Sequence, residues 1–127
     1  MIWDNTRSIF KHANATGSGS AIALTLTPGM GFKLSEVRIK LAAAPSGAHV
    51  FTITNDSGIA ATIYDCIIYS QDLDGLTNHY KNFTNQTAPF TKDDSLIFAS
   101  ASITGVWGIE VVYEVIAFTL AEAGAKL

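Results

Sequence analysis

Alternating apolar and polar residues predict β-strands along most of the chain. In Trp107–Val115 every second residue is apolar or aromatic, and Glu110 and Glu114 fall on the opposite parity. Within Phe32–Leu41 the apolar parity changes at Ser35–Glu36. Because one inserted residue shifts the face of every residue that follows, this change predicts a β-bulge. Both segments are therefore predicted to be core strands.

Six further segments have strand character, and turns rich in glycine, proline, asparagine and aspartate separate them. They are Arg7–Ala13, Ala21–Thr27, His49–Thr54, Thr62–Ser70, His79–Thr84 and Ser95–Ser100. Thr62–Ser70 is apolar on both parities, which predicts a strand covered on both faces. No convincing amphipathic helix is visible. Eight short strands predict an all-β chain that folds as a single β-sandwich, most economically an eight-stranded jelly roll.

The two ends of the chain differ from its middle. Residues 13–20 are small and polar, which predicts a flexible linker, so residues 1–20 are predicted to be an N-terminal arm with its Gly/Ser linker. The sandwich is assigned to residues 21–120, and a short tail to residues 121–127.

The last strand carries a candidate interface. The parity that bears Glu110 and Glu114 continues with three large apolar residues, Ile116, Phe118 and Leu120. A contiguous group of large apolar side chains is normally buried against another surface rather than left in contact with water. Either the C-terminal segment bends into its own core, or another chain packs on these residues.

Composition indicates a weakly charged surface. Only 15% of the 127 residues are charged, whereas an ordinary soluble domain has about 25%, and serine, threonine and asparagine take their place. Such a surface is easily desolvated, because hydroxyls and amides regain hydrogen bonds across an interface. It suits a subunit of an assembly, and it suits equally a secreted-type β domain with a threonine-rich exterior.

The net charge and the lack of targeting signals limit the classes of binding partner and the cellular locations that the sequence predicts. A net charge of −3 argues against binding to duplex nucleic acid, which requires clustered Lys and Arg. The N-terminus has no apolar segment behind a basic start, and no segment is apolar enough to predict a membrane span. We therefore expect no signal peptide, synthesis in the cytosol, and Cys66 as a reduced thiol in the core.

Acidic residues in turns are the first candidates for a metal-binding or catalytic site. Asp72, Asp74 and Gly75 look like part of a Ca²⁺ loop, but no Glu follows at the required distance, which favours a plain β-turn. Asp93 and Asp94 are adjacent, so their side chains are expected to point apart and to cap backbone amides.

Catalytic motifs are absent from the sequence. His12, His49 and His79 are far apart, and scattered histidines in a β domain are more often structural residues than metal ligands. No nucleophile elbow, phosphate-binding glycine run or CxxC motif occurs. We expect a non-enzymatic protein with no cofactor and no metal. A minor enzyme domain that uses Asp72, Asp74 or Asp93 is the least favoured alternative.

Aromatic residues leave a binding module open as a second class of function. Tyr64, Tyr69, Tyr80 and Trp107 are candidates for a platform on which a sugar ring stacks. Trp107 begins an apolar face of period two, which favours the core for this residue. The alternative function is thus a glycan- or host-binding β-sandwich module.

Four segments resemble small tailed-phage virion proteins. The closing strand, Thr104–Glu114, carries the resemblance, together with Phe32–Ile39, Tyr64–Leu73 and Asp94–Phe98. The similarity extends over residues 31–115. It implies a capsid decoration (cement) protein or similar head-surface protein, located in the virion and often trimeric. The implied partners are the major capsid protein or another virion protein, and the resemblance brings no catalytic residues. With this resemblance, the alternative function is a glycan- or host-binding β-sandwich module of a phage tail or spike.

Overall fold

Eight strands make up most of the part of the chain that the computed structural model describes, which is residues 6–59, 64–83 and 89–118. The strands are β1 (Thr6–Ser18), β2 (Ala21–Leu26), β3 (Phe32–Leu41), β4 (Val50–Asp56), β5 (Cys66–Asp72), β6 (Asn78–Asn82), β7 (Ser95–Ser102) and β8 (Val106–Phe118). They form two four-stranded antiparallel sheets, with the orders β1-β8-β3-β6 and β2-β7-β4-β5. The described residues contain no α-helix. The predicted all-β sandwich is confirmed.

The strands pair in a nested way. β1 pairs with β8, β2 with β7, β3 with β6, and β4 with β5, all antiparallel. The chain therefore resembles one long hairpin rolled up so that successive pairs alternate between the two sheets. Pairing of β3 with β8 joins the two strand pairs of the first sheet, and pairing of β4 with β7 joins those of the second sheet. This is the strand arrangement of a jelly roll, as the sequence predicts.

The core lies between the two sheets, and the fully buried side chains among the described residues are apolar. Its largest fully buried side chains include Phe32, Phe51 and Phe98. Trp107 is 4% exposed, and its indole N–H donates a hydrogen bond to Ser20 Oγ at 3.2 Å. The prediction that Trp107 belongs to the core is confirmed.

The predicted bulge in β3 is present. The register of β3 against β8 shifts between Leu34 and Glu36. Leu34 and Val37 are both buried although they are three residues apart, because the extra residue turns the chain by one face. The bulge therefore lets both halves of β3 supply apolar side chains to the same core.

The N-terminal residues that the structure describes belong to the first sheet. β1 pairs with β8 along its whole length, from Thr6 opposite Phe118 to Ser18 opposite Val106. The predicted linker is therefore wrong for residues 13–18. Its small residues have a packing reason, since Ala13 and Ala15 lie against the core and Gly17 lies against the Trp107 ring. Residues 1–5 and 121–127 lie outside the described residues.

β5 is an edge strand of the second sheet, where it pairs with β4. The prediction of a strand over Thr62–Ser70 covered on both faces is wrong: the strand begins at Cys66, and residues 62 and 63 lie outside the described residues. Ile67 is 63% exposed, and Cys66 is also exposed. The outer face of this sheet has no second layer among the described residues, so apolar residues on it stay accessible. Cys66 is consequently a surface thiol and not a core thiol.

Candidate functional site

The two sheets differ in the charge that their strands carry. The ionisable Asp, Glu, Lys, Arg and His residues in the strands of the first sheet are Arg7, Lys11, His12, Lys33, Glu36, Arg38, Lys40, His79, Lys81, Glu110 and Glu114. The strands of the second sheet contain just Asp56 and Asp72, each at the end of its strand. The sandwich therefore has one charged sheet and one nearly uncharged sheet.

The outer face of the second sheet is neutral along its two central rows, and Asp56 and Asp72 lie at its two ends. Two neighbouring rows cross this face, one of Thr25, Ile97, Thr54 and Ile67, and one of Ala23, Ala99, Thr52 and Ser70. We call these two rows the neutral face. None of their side chains carries a charge, so the cost of removing water from them is small. Another protein can therefore cover this face without burying an unpaired charge.

The outer face of the first sheet, which we call the charged face, is organised around Arg38. One row across this face contains Asn14, Glu110, Arg38 and Tyr80. The Arg38 guanidinium donates to Glu110 Oε1 at 3.2 Å and also to Glu36 Oε1. His12 Nδ1 lies 3.5 Å from Glu110 Oε2. Two carboxylates therefore hold one guanidinium in the middle of the face.

Glu36 also positions Tyr80. The Tyr80 hydroxyl donates to Glu36 Oε2 at 2.7 Å. This hydrogen bond, aided by the Arg38 charge, lowers the pKa of the Glu36 carboxyl, against the opposing effect of desolvation. The carboxylate is therefore ionised at neutral pH and keeps both of its partners. The Tyr80 ring, which is 52% exposed, is fixed in orientation on the charged face.

A depression of about 450 Å³ lies on the charged face beside the Arg38 row. Gly108 lies at its centre and pairs with Thr16 on β1 and with Lys40 on β3, and Lys40 in turn pairs with Asn78 on β6. A Cβ atom added to Gly108 would lie 3.8 Å from Cγ2 of Thr16, in ordinary van der Waals contact, so a side chain can be placed there without a clash. We call this feature the Gly108 depression. Its polar rim consists of Asn14, Thr16, Arg38, Lys40, Asn78, Tyr80 and Glu110.

Large apolar side chains gather where β1 begins and β8 ends. Phe10 is 60% exposed, and Ile9 and Met30 are exposed as well. β1 brings Ile9 and Phe10 beside the end of β8, and the Ile116 N–H donates to the carbonyl of Gly31, next to Met30, at 3.0 Å. Ile116 is half-buried. We call these apolar residues at one end of the first sheet, Ile9, Phe10, Met30 and Ile116, the end patch. Phe10 and Ile116 share the outer face of the sheet, whereas Ile9 has the opposite parity because it pairs with Val115.

The predicted interface residues lie in and beyond the end patch. The structure describes the side chain of Ile116, whereas the side chain of Phe118 and all of Leu120 lie outside the described residues. The predicted interface therefore stays a prediction. Sequence reasoning missed Phe10, although its parity in β1 equals that of the polar residues His12 and Asn14 and marks it as an outward apolar residue.

Tyr69 and His79 join the two sheets at one edge of the sandwich. The Tyr69 hydroxyl lies 2.6 Å from His79 Nε2, and the two rings stack with their centroids 5.9 Å apart. Phe83 packs edge-on against Tyr69. Burial raises the pKa of Tyr69 and lowers the pKa of His79, which the Lys81 charge lowers further. Tyr69 is therefore a packing residue between the sheets, although the sequence offered it as one candidate for a stacking platform.

Stability is expected to decline as the pH falls below about 6.5, the ordinary pKa of histidine. The pKa of His79 is lowered in the folded chain, so the unfolded chain takes up its proton first. The contribution of neutral His79 is complete above the unfolded pKa and is lost as the pH falls through the lowered folded pKa.

Urea denaturation between about pH 7.5 and 5.5 measures this decline. His79→Phe should remove most of the pH dependence, because the phenyl ring keeps the stacking on Tyr69 and cannot titrate. His49→Gln serves as the matched control and should retain the dependence, since the His49 ring hydrogen-bonds to the Gly47 carbonyl and lies near the Asp72 carboxylate, away from Tyr69 and His79. An equal slope in the parent chain and in His79→Phe would contradict the assignment.

The acidic turns use their carboxylates to hold backbone amides. Asp72 Oδ1 accepts hydrogen bonds from the N–H groups of His49 and Asp74, both at 3.0 Å, and these bonds lower the pKa of Asp72. Asp94 accepts from the N–H groups of Gly58 at 2.8 Å and Thr91 at 3.0 Å. The predicted β-turn at Asp72–Gly75 and the predicted capping role of Asp94 are confirmed.

Two further findings concern the described residues alone. No group of three or more His, Cys, Asp or Glu side chains lies close enough together there to hold a metal ion. No helix in that part of the chain has the length and apolar character needed to cross a membrane.

Comparison with known proteins assigns the chain to no family. No protein-family model matches it, and no curated protein matches it. A solved structure described as Desmodium yellow mottle tymovirus is similar, with a TM-score of 0.41 and 11% sequence identity, over 94% of this chain and 93% of that chain. These values are too low to identify a family. The resemblance to tailed-phage virion proteins therefore stays a prediction.

Proposed function

We propose that the chain is a non-enzymatic structural subunit of a virion, specifically a decoration or cement protein on the head of a tailed phage. The observation that carries the proposal is the separation of charge between the two faces of the jelly roll. The neutral face has no charged side chain in either row, while the charged face is built around Arg38 and its carboxylates. A subunit that lies on a protein shell needs one face that loses water easily and another that stays hydrated.

The partner proposed for the neutral face is the major capsid protein or another protein of the same particle. Threonine hydroxyls on this face can form hydrogen bonds with a neutral polar surface, and its alanine and isoleucine side chains supply apolar contact. A face of this kind binds weakly as a single copy. When several joined subunits bind together, each later contact is intramolecular, and the total affinity rises by orders of magnitude.

A homotrimer is the proposed arrangement that joins the subunits. The end patch, with Phe118 and Leu120, is proposed to lie between the chains, because cyclic closure covers every copy of the patch. Each large apolar side chain buried there contributes about 1.5 to 3 kcal/mol, from which the loss of translational freedom is subtracted. The described residues add Phe10 to the predicted set, which enlarges the surface available for association.

Light scattering on a sizing column should find a particle of three times the 13.5 kDa of the chain. Phe118→Asp and Phe10→Asp should each shift it toward monomer, because each places an unpaired charge in the interface. Ile67→Asp is the matched control, since it introduces the same charge on the neutral face and should leave the trimer intact.

A monomer of the parent chain at micromolar concentration would refute the trimer and would favour a C-terminal segment that packs on its own core. Equal dissociation by all three aspartate variants would contradict the placement of the interface at the end patch.

A further inference from the structure

We propose that the Gly108 depression binds an acidic sugar residue of an oligosaccharide. The depression lies on the charged face, on the opposite side of the sandwich from the neutral face. The site therefore remains accessible when the neutral face is covered, and the inference does not rest on the proposed virion role.

The size of the depression suits a small polar ligand. Its volume of about 450 Å³ falls within the range of about 300 to 1,000 Å³ found for small-molecule sites. Glycine at position 108 creates this space, since any side chain there would project into it between Thr16 and Lys40. A glycine inside a strand often marks a place where a ligand approaches the backbone closely.

The rim offers hydrogen-bonding groups that other described residues do not use. Asn14, Thr16 and Asn78 line the depression, and their side chains make no hydrogen bond within the described part of the chain. Amides and hydroxyls both donate and accept, which matches the hydroxyl groups of a sugar. Arg38 differs from them, because Glu36 and Glu110 already hold its guanidinium.

Lys40 determines the charge of the ligand. Among the described residues it forms no ion pair, whereas Arg38 is paired with two carboxylates. The walls of the depression are mainly carbon atoms, and the amides, the hydroxyls and the Arg38-paired Glu110 carboxylate lie around them. One unpaired ammonium group on this rim fits a ligand with an apolar ring face and a single carboxylate, with which it would form a charge-assisted hydrogen bond. A nucleic-acid backbone needs several cations in succession and is not matched by this site.

Tyr80 supplies the aromatic wall that a sugar ring requires. Its ring is half-exposed at the rim, and the hydrogen bond to Glu36 holds it in place. The C–H face of a pyranose packs on such a ring while the hydroxyl groups around its edge reach polar side chains. The sequence suggested Tyr80 as a platform residue, and the structure places it beside Lys40 and the unused amides.

The test is a glycan array of bacterial polysaccharides with uronic-acid repeats and with neutral repeats, followed by titration calorimetry with the best uronic ligand. We expect saturable binding to a uronic-acid glycan. Lys40→Met and Tyr80→Ala should each weaken binding by about tenfold or more, the effect of losing a hydrogen bond to a charged group or an aromatic contact. Gly108→Val should abolish binding by filling the depression.

Lys33→Met is the matched control, because Lys33 lies on the same strand and the same face but outside the depression. It should bind as the parent chain does. Far-ultraviolet circular dichroism checks that each variant keeps the sheet structure. Absence of binding to every uronic-acid glycan on the array would overturn the proposal, and so would binding that Lys40→Met and Gly108→Val leave unchanged. Neither result bears on the oligomeric state or on the neutral face.

Discussion

Replacing Trp107 with alanine is expected to lower the free energy of unfolding by about 3 to 5 kcal/mol, the usual cost of removing a large aromatic side chain from a core. Trp107 is buried between the sheets, and its neighbours across the first sheet are Gly17 on β1 and Leu41 on β3. Removing the indole leaves a cavity at this junction and also deprives Ser20 of its hydrogen-bonding partner.

Urea denaturation of the two chains measures this change. Val106→Ala is the matched control, because Val106 is the adjacent residue of β8 and is exposed. It should cost less than about 0.5 kcal/mol, as surface substitutions usually do. A loss below about 1 kcal/mol for Trp107→Ala would place the ring outside the core and would contradict the account of the first sheet.

Gly17→Val is expected to destabilise the chain by about 1 to 3 kcal/mol or more, the range found for overpacked cores. A Cβ atom at this position would lie 2.5 Å from Cζ2 of Trp107 and 2.8 Å from Ser20 Oγ. The ring is held in the core and cannot move aside without disturbing its own contacts. Either β1 must separate from β8 here or the indole must leave its position.

The effect of Gly17→Val distinguishes between two structures for this segment, a strand and a flexible linker. In a linker, replacing glycine with a bulkier residue has little effect or stabilises slightly, because it restricts the unfolded chain. Gly19→Ala is not a suitable control, because Gly19 has a positive φ of 64°. Thr16→Val is the control, since Thr16 lies next to Gly17 in β1 and faces outward, and it should change stability by less than about 0.5 kcal/mol. Unchanged stability in Gly17→Val would contradict the packing of β1 against Trp107.

The strands that the sequence predicts correctly are those whose environment is determined locally. Apolar and polar residues alternate in β8 because one of its faces is buried along much of its length. Local periodicity is therefore enough to predict that Trp107, Ile109 and Val111 belong to the core. The bulge in β3 was visible for the same reason, since a change of parity has few other causes. Nested pairing of the strands then follows from the jelly-roll architecture.

The features that the sequence missed depend on contacts between distant segments. Small residues in β1 have the composition of a linker, but Gly17 is small because Trp107 occupies the adjacent space. β5 is as apolar as a buried strand, yet its place at the edge of the sheet depends on the pairing order, which local periodicity does not contain. Gly108 offered a signal, since a glycine inside a strong strand pattern often marks a close approach, but its partners Thr16 and Lys40 come from other strands.

Electron cryomicroscopy of the virus particles in which the chain is proposed to reside tests the proposed virion role most directly. We predict density for the sandwich on the head, in groups of three, with the neutral face against the shell and the charged face toward solvent. Purified particles that lack the chain by mass spectrometry, or a reconstruction in which the neutral face is turned to solvent, would contradict the account.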